Sequence, residues 1–244
     1  MIDQFHTDST EVQNIIKGFN LTKSLLVSSI IVGEPYTGKK SLIRYLFPSV
    51  KFVYGGDKIA VERALNEQEE LVIYDFEKLT NIENIDFENR RIIAIANYIS
   101  NEKSIDLLFA FIYHMPPLKE RVEDIKTITE IFTKEVTTNL MLDRELHIDT
   151  KLLDISGNTH TLKRSIYQQA FSQNCSTKDI EDILYQYLYR HMQGNNDYKD
   201  YLPLYERPLI EAGLKKFGSQ LKLSNILGIN RNTLRKKIHE LNIN

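Results

Sequence analysis

Two stretches carry residues whose types and spacing could do chemistry. In Gly33-Glu-Pro-Tyr-Thr-Gly-Lys-Lys40, a glycine at each end of a short loop is followed by lysines. Where such a loop joins a strand to a helix, its backbone N–H groups wrap phosphate oxygens. The helix N-terminus adds its partial positive charge. Lys39 would then reach the outer phosphates. The second stretch, Gly228-Ile-Asn-Arg-Asn-Thr-Leu-Arg-Lys-Lys237, gathers cations and amides instead. Arg231 and Arg235 suit phosphate or guanine, with Asn232 and Thr233 beside them.

Each stretch needs elements to position it. Leu25-Leu-Val-Ser-Ser-Ile-Ile-Val32 is a nearly continuous apolar run of strand length, of the kind a parallel sheet covers on both faces. It leads into the loop, and Ser41–Leu46 follows as a helix. Ahead of it, Ser9–Phe19 reads as an amphipathic helix, capped by Ser9 or Thr10, with Val12, Ile15, Ile16 and Phe19 inward. Strands are expected at Val50–Tyr54, Leu71–Asp75, Arg91–Ala96 and Phe109–His114, with a helix over Ile59–Glu67. Alternation of this kind predicts a parallel α/β sheet. Leu71-Val-Ile-Tyr-Asp75 ends an apolar strand in an acid, and Asp75 would hold a Mg²⁺ at the strand's carboxyl end.

The C-terminal stretch reads as two helices about a tight turn. The first runs from about Ser219 to Leu227, with Leu223, Ile226 and Leu227 on one face. Gly228 stands where a left-handed helix stop is needed. Asn230 caps the second helix, whose Leu234, Ile238 and Leu241 form an apolar stripe. From Lys215 to His239 there are seven Lys/Arg and no Asp/Glu; the chain carries −2, so the rest carries −9. A basic module on an acidic body is the pattern of phosphate-backbone binding. The plainer alternative is a solvated basic hairpin.

This module resembles the Fis-type DNA-binding domain that ends many bacterial enhancer-binding regulators of the NtrC type, over roughly Lys178–Asn244. The resemblance makes Asn230, Arg231, Asn232, Thr233, Arg235 and Lys236 the expected DNA contacts, with Ser219 and Lys222 touching backbone. Ser219 stands where the family often has a larger amide. The apolar face Ile180, Ile183, Leu184, Tyr187 and Leu188, with Tyr185 and Tyr189 beside it, would pack in a dimer. Met115-Pro-Pro-Leu-Lys-Glu-Arg-Val-Glu-Asp-Ile125 is similar to a signature of the NtrC-type AAA+ domain, and Ser156-Gly-Asn158 falls where that family's lid helix begins. The fold implied is an AAA+-like parallel sheet with a helical lid, then a small all-α helix-turn-helix domain. The boundaries expected are 1–117 for the P-loop α/β domain, 118–175 for the lid and 176–244 for the DNA-binding and dimerisation domain. Gly33, Thr37, Gly38, Lys39, Lys40 and Asp75 would bind ATP or ADP with Mg²⁺; otherwise the loop is an inherited turn filled by side chains.

Departures from the family point to a retired motor. Phe76 stands where a water-orienting carboxylate belongs. Glu77 comes one place late and, were the strand to continue, would face the other way. No Arg or Lys occurs from Ile105 to Met115, where arginine fingers would lie; a finger is worth about 10³–10⁵ in rate in related NTPases. The lid arginine is replaced by His160. Between Gly55-Gly56-Asp57 and Leu71 there is too little chain for the loop that grips sigma-54. No receiver domain precedes the AAA+ part, so no phosphorylation site in cis is expected.

The rest bounds the class. The 42 % hydrophobic and 26 % charged content is that of a globular protein, and a single Cys175, read as a small filler, excludes a disulfide framework. No apolar run reaches the ~20 residues of a membrane span, and no signal peptide opens the chain, so the cytoplasm is the expected location. The histidines lack metal-ligand spacing, and Asp86, Glu88, Asp143 and Glu145 read as solvated charges. No catalytic or metal-ligating residue is assigned. The leading reading is a DNA-binding transcription regulator acting on double-stranded DNA as a homodimer, with an AAA+ domain that no longer hydrolyses ATP. Contact with RNA polymerase would not run through a sigma-54 loop. The alternatives are an active sigma-54-dependent ATPase and an architectural DNA-bending protein.

Overall fold

The computed structural model describes residues 5–25, 27–80, 82, 85, 87, 89–99 and 102–243. The first four residues, Leu26, Asp86 and Glu88, all used in the reading above, lie outside this set. The chain divides into two compact units, Met1–Asn174 and Cys175–Asn244.

The first unit is built on five parallel strands in the order β2-β3-β4-β1-β5. They are β1 (Ser29–Val32), β2 (Lys51–Tyr54), β3 (Glu70–Tyr74), β4 (Arg91–Ala96) and β5 (Phe111–His114). Successive side chains leave a strand on opposite faces, and here both faces are buried. Ile30, Val32, Leu71, Ile73, Ile92 and Ala94 point to one layer, joined by Val61 and Leu65 of α3 (Lys58–Glu67) and Ile105 of α4 (Glu102–Leu108). Ile31, Val72, Ile93 and Ile95 point to the other, which holds Val12 and Phe19 of α1 (Thr10–Thr22) and Leu42 and Ile43 of α2 (Lys39–Leu46). The apolar run at Leu25 is longer than its strand: pairing with β4 and β5 begins only at Ser29, and Leu25 is exposed. Likewise β5 starts at Phe111, because Phe109 is buried just after α4 and its N–H closes that helix onto Ile105.

A third core, with Leu118, Val136, Leu162 and Ile166, joins α5 (Val122–Asn139) to α6 (Asn158–Asn174) as the lid. The lid is tied to the sheet part through Asp124. This fully buried carboxylate accepts hydrogen bonds from Thr7 Oγ1 (2.9 Å) and from the N–H groups of Asp8 (2.7 Å) and Ser9 (3.2 Å), and pairs with buried Arg121 at 3.2 Å.

The second unit contains α7 (Thr177–His191), α8 (Asp197–Tyr201), α9 (Pro203–Phe217), α10 (Gln220–Leu227) and α11 (Arg231–Glu240). Ile210, Leu223, Leu234 and Leu241 are its buried core. Gly213 lets α9 meet α10 closely: a Cβ there would stand 2.4 Å from Leu223 Cδ1. The polar segment Gln193–Asp200, which its Gly-Asn-Asn composition predicts to be a turn between the module's first two helices, is a turn only in its first half. Asn195 and Asn196 take left-handed backbone, after which α8 begins at Asp197.

Candidate functional site

The P-loop forms as the spacing requires. Gly33 follows β1, and Gly38 begins α2 with φ of 97°, a conformation that favours glycine. Lys39 is buried, and its ammonium donates to Gly33 O and Glu34 O at 2.6 Å and to Asn97 Oδ1 at 3.3 Å. Burial pushes its pKa down to about 8, against the opposing pull of Glu77, Asp75 and Glu34. Thr37 Oγ1 donates to Glu34 O and shapes the loop from within. Beside the loop lies a cavity of about 610 Å³ that includes Lys39, Lys40, Asp75, Lys78 and Asn97. That size suits a small-molecule ligand. The loop amides with Lys39 are a donor set that fits a nucleotide's polyphosphate.

The strand β3 ends at Tyr74, one residue sooner than expected, and this changes the position of Glu77. Asp75 adopts left-handed backbone (φ 52°) and Phe76–Lys78 form a 3₁₀ turn. The turn buries Phe76 against Phe109, ring centroids 5.3 Å apart. It also brings Glu77 to the site. Its carboxylate accepts from Asn97 Nδ2 (2.7 Å) and Asn97 N–H (3.2 Å). The expectation that Glu77 faces away assumed a strand that does not continue. Asn97 was missed as well. Its signal was its place just past the carboxyl end of β4, where open α/β sheets bind ligands.

The lid closes on the same loop. Asn158, buried in left-handed backbone (φ 57°), donates to Glu34 Oε2 and Pro35 O at 3.0 Å and accepts from Leu118 N–H at 2.7 Å. Thr159 Oγ1 donates to Tyr36 O at 2.6 Å, and Arg121 donates to Thr37 O at 2.8 Å. His160, at the lid-arginine position, stacks on Tyr36 with centroids 4.6 Å apart. A groove of about 750 Å³ also runs along α5 in the lid, but its Thr133 and Thr137 hydroxyls are turned onto helix carbonyls. The converging polar groups are at the sheet's carboxyl ends.

The residues around Asp75 do not fit a divalent cation. Its Oδ2 is already paired with Lys78 Nζ at 3.1 Å. Position 40, where a P-loop places a metal-binding hydroxyl, is a lysine whose ammonium lies 3.4 Å from the Tyr74 ring centroid. Among the described residues no group of three or more His, Cys, Asp or Glu is placed to hold a metal.

In the second unit, α10 and α11 flank Gly228, whose φ of 66° is the left-handed stop. Asn230 Oδ1 accepts from Asn232 N–H at 2.8 Å, and Ser219 Oγ caps α10 from Lys222 N–H at 3.5 Å. Those cap oxygens are therefore engaged within the chain. Lys222, Arg231, Asn232, Thr233, Arg235 and Lys236 are exposed. Arg231 and Arg235 have no ion-pair partner among the described residues, whereas Lys236 pairs with Glu240 and Lys237 with Glu206 of α9. Ile226 was expected on the inner face of α10 and is half exposed; Leu223 and Ser224 fill that side.

Residues 201–241 match the model of the bacterial regulatory protein Fis family. The DNA-binding transcriptional regulator NtrC of Azospirillum brasilense is 28 % identical over 166 residues, covering 53 % of this chain and 34 % of that protein. Crystal structures of NtrX from Brucella abortus with ADP and with ATP superpose with TM-scores of 0.56 and 0.57, at 14 % and 13 % identity. They cover 99 % and 98 % of this chain and 70 % and 69 % of those. The chain has an NtrC-like AAA+ fold and a Fis-type helix-turn-helix. A protein named limonene hydroxylase from Geobacillus stearothermophilus is 29 % identical over 196 residues, covering 74 % of this chain and 35 % of that one. The chain thus spans about a third of the length of both sequence relatives. In the Fis-type module the turn, the cap and the basic helix are those described above. In the AAA+ part the P-loop, Asp75, Asn97 and the lid meet at one end of the sheet. No helix among the described residues is long and apolar enough to cross a membrane.

Proposed function

We propose that this chain is a transcription regulator that binds double-stranded DNA through α10 and α11. The observation that carries this reading is the exposed Arg231 and Arg235 on successive turns of α11, without an ion-pair partner among the described residues, on a helix that buries Leu234 beside them. The residues that would touch DNA are Lys222, Arg231, Asn232, Thr233, Arg235 and Lys236, while Ser219 and Asn230 fix the helix ends and offer their remaining polar atoms to the backbone. Footprinting in the protein's own cells tests it: discrete promoter-proximal sites support a regulator, scattered abundant sites an architectural DNA-bending protein, and no protected DNA refutes both.

The module acts as a homodimer through α7. That helix buries none of its residues within the chain, and Ile180 (59 % exposed), Ile183 (63 %) and Leu184 (40 %) form one face of it. Covering such a face with a second copy is worth about 25 cal/mol per Å² of apolar surface. Leu184→Asp should give a monomer by sedimentation and weaken DNA binding by about 10²-fold, because the second recognition helix loses its effective concentration. A dimer of unchanged affinity would remove α7 from the interface.

The AAA+ domain binds ATP or ADP and turns it over negligibly. The bound nucleotide would supply a phosphoanhydride, and this chain's residues orient it: the loop amides and Lys39 hold phosphates while Asn97, which lines the same cavity, is held by Glu77. Glu77 alone does not restore a motor. The segment Ile105–Met115 supplies no finger, and His160 is stacked on Tyr36 rather than offering a guanidinium. The short Gly55–Asp57 turn leads straight into α3, leaving no room for a sigma-54 contact loop. Phosphate release with and without DNA should stay at the level of a Lys39→Ala variant. Turnover typical of an AAA+ motor would instead support the sigma-54-dependent activator.

A further inference from the structure

The mismatch between Asp75 and a divalent cation has a counterpart in the lysines around it. Lys78 Nζ lies 3.1 Å from Asp75 Oδ2. Lys40 lines the same cavity as Asp75, with its ammonium over the Tyr74 ring at 3.4 Å. Lys39, held by Asn97 and the loop carbonyls, completes a set of ammonium groups on the side of the cavity where phosphates would lie. We infer that this P-loop binds a nucleoside triphosphate without a divalent cation, with Lys40 and Lys78 neutralising the phosphate charge that Mg²⁺ neutralises elsewhere. The inference rests on the nucleotide-binding reading above.

Several observations support it independently. The carboxylates near Lys39 that would repel an unmetallated polyphosphate each have a partner: Asp75 has Lys78, Glu77 both nitrogens of Asn97, and Glu34 the Asn158 amide. The ring of Tyr74 holds the Lys40 ammonium by a cation–π contact that does not consume its N–H donors. Lys78 also has room to move, being half exposed on a 3₁₀ turn. On binding, it can exchange part of its contact with Asp75 for a phosphate oxygen. Asp75 in this arrangement positions Lys78 instead of coordinating metal. Placing point charges on flexible stems against phosphates is a role lysine side chains fill well.

The test uses the full chain, titrated with ATP in excess Mg²⁺ and in EDTA, followed by thermal shift and by displacement of a fluorescent ATP analogue. The dissociation constant should change by less than about twofold between the two conditions. A double variant, Lys40→Ser with Lys78→Ala, should bind about tenfold or more weakly in EDTA, each lost charge-assisted contact contributing, and should recover in Mg²⁺ as the vacated site admits the ion. Its melting temperature without nucleotide reports that it folds, and Lys78→Ala alone gives the smaller intermediate loss. Wild-type binding that needs Mg²⁺, or a double variant that binds in EDTA as tightly as wild type, overturns metal-free binding and leaves the nucleotide reading standing. No binding in either condition overturns both.

Discussion

Asp124→Ala is expected to destabilise the first unit by about 3–5 kcal/mol, the cost of leaving a buried charge without its partner. Asp124 is fully buried and Arg121 is 1 % exposed. Arg121 has burial pulling its pKa down, and the opposing influence comes from Asp124. Removing the carboxylate leaves the guanidinium with its donation to Thr37 O and strips acceptors from Thr7 Oγ1 and the N–H groups of Asp8 and Ser9. Each buried donor left without a partner adds its own desolvation cost. Thr7→Val, which removes only one hydroxyl from the same hub, should cost about 1 kcal/mol. Urea unfolding followed by far-UV circular dichroism resolves this, with the two units fitted separately because a two-unit chain need not unfold in one step. A loss for Asp124→Ala no larger than that for Thr7→Val would mean the ion pair is not what joins the lid to the sheet.

Replacing Arg231 and Arg235 together by alanine should weaken DNA binding by about 2–6 kcal/mol, from ~1–3 for each. The two lie on successive turns of α11, so their losses are expected to couple. If Arg235 reads a base, its single replacement relaxes preference at one position. If it touches only phosphate, the loss is uniform across sequences and the salt slope flattens by about one. Lys237→Ala is the informative control. Its ammonium is held by Glu206 of α9, so its loss should lower the module's melting temperature while leaving affinity for DNA nearly unchanged. Wild-type affinity in the double arginine variant would remove α11 from the interface.

The sequence by itself determined the layers and their punctuation. Apolar runs such as Ile30–Val32 and Leu71–Ile73 call for burial on two faces, and their alternation with helical stretches points to a parallel sheet clothed by helices. Gly38 and Gly228 stand where the backbone turns left-handed, and Asn230 caps α11, because these are local choices made within a few residues. The basic face of α11 was legible for the same reason: helical periodicity places Arg231 and Arg235 beside the apolar stripe of Leu234 and Leu241, on the flank left to solvent.

Only the tertiary structure decided which groups meet. Glu77 read as facing away because its direction depends on where β3 stops. That in turn depends on Phe76 finding Phe109 in the core and on Asp75 accepting a left-handed backbone. Asn97 carries no motif that marks it, and becomes part of the site because β4 lies beside β1 in the sheet. Asp124 looked like one more acid in a charged segment, yet it is the buried anchor of Arg121 and of a segment more than 110 positions away. Lys40 and Lys78 are far apart in sequence and line one cavity only after β1 and β3 bring their following segments to the same end of the sheet. Side-chain periodicity is local, whereas charge pairing and burial depend on which distant strands become neighbours, and that is settled by packing of the whole core.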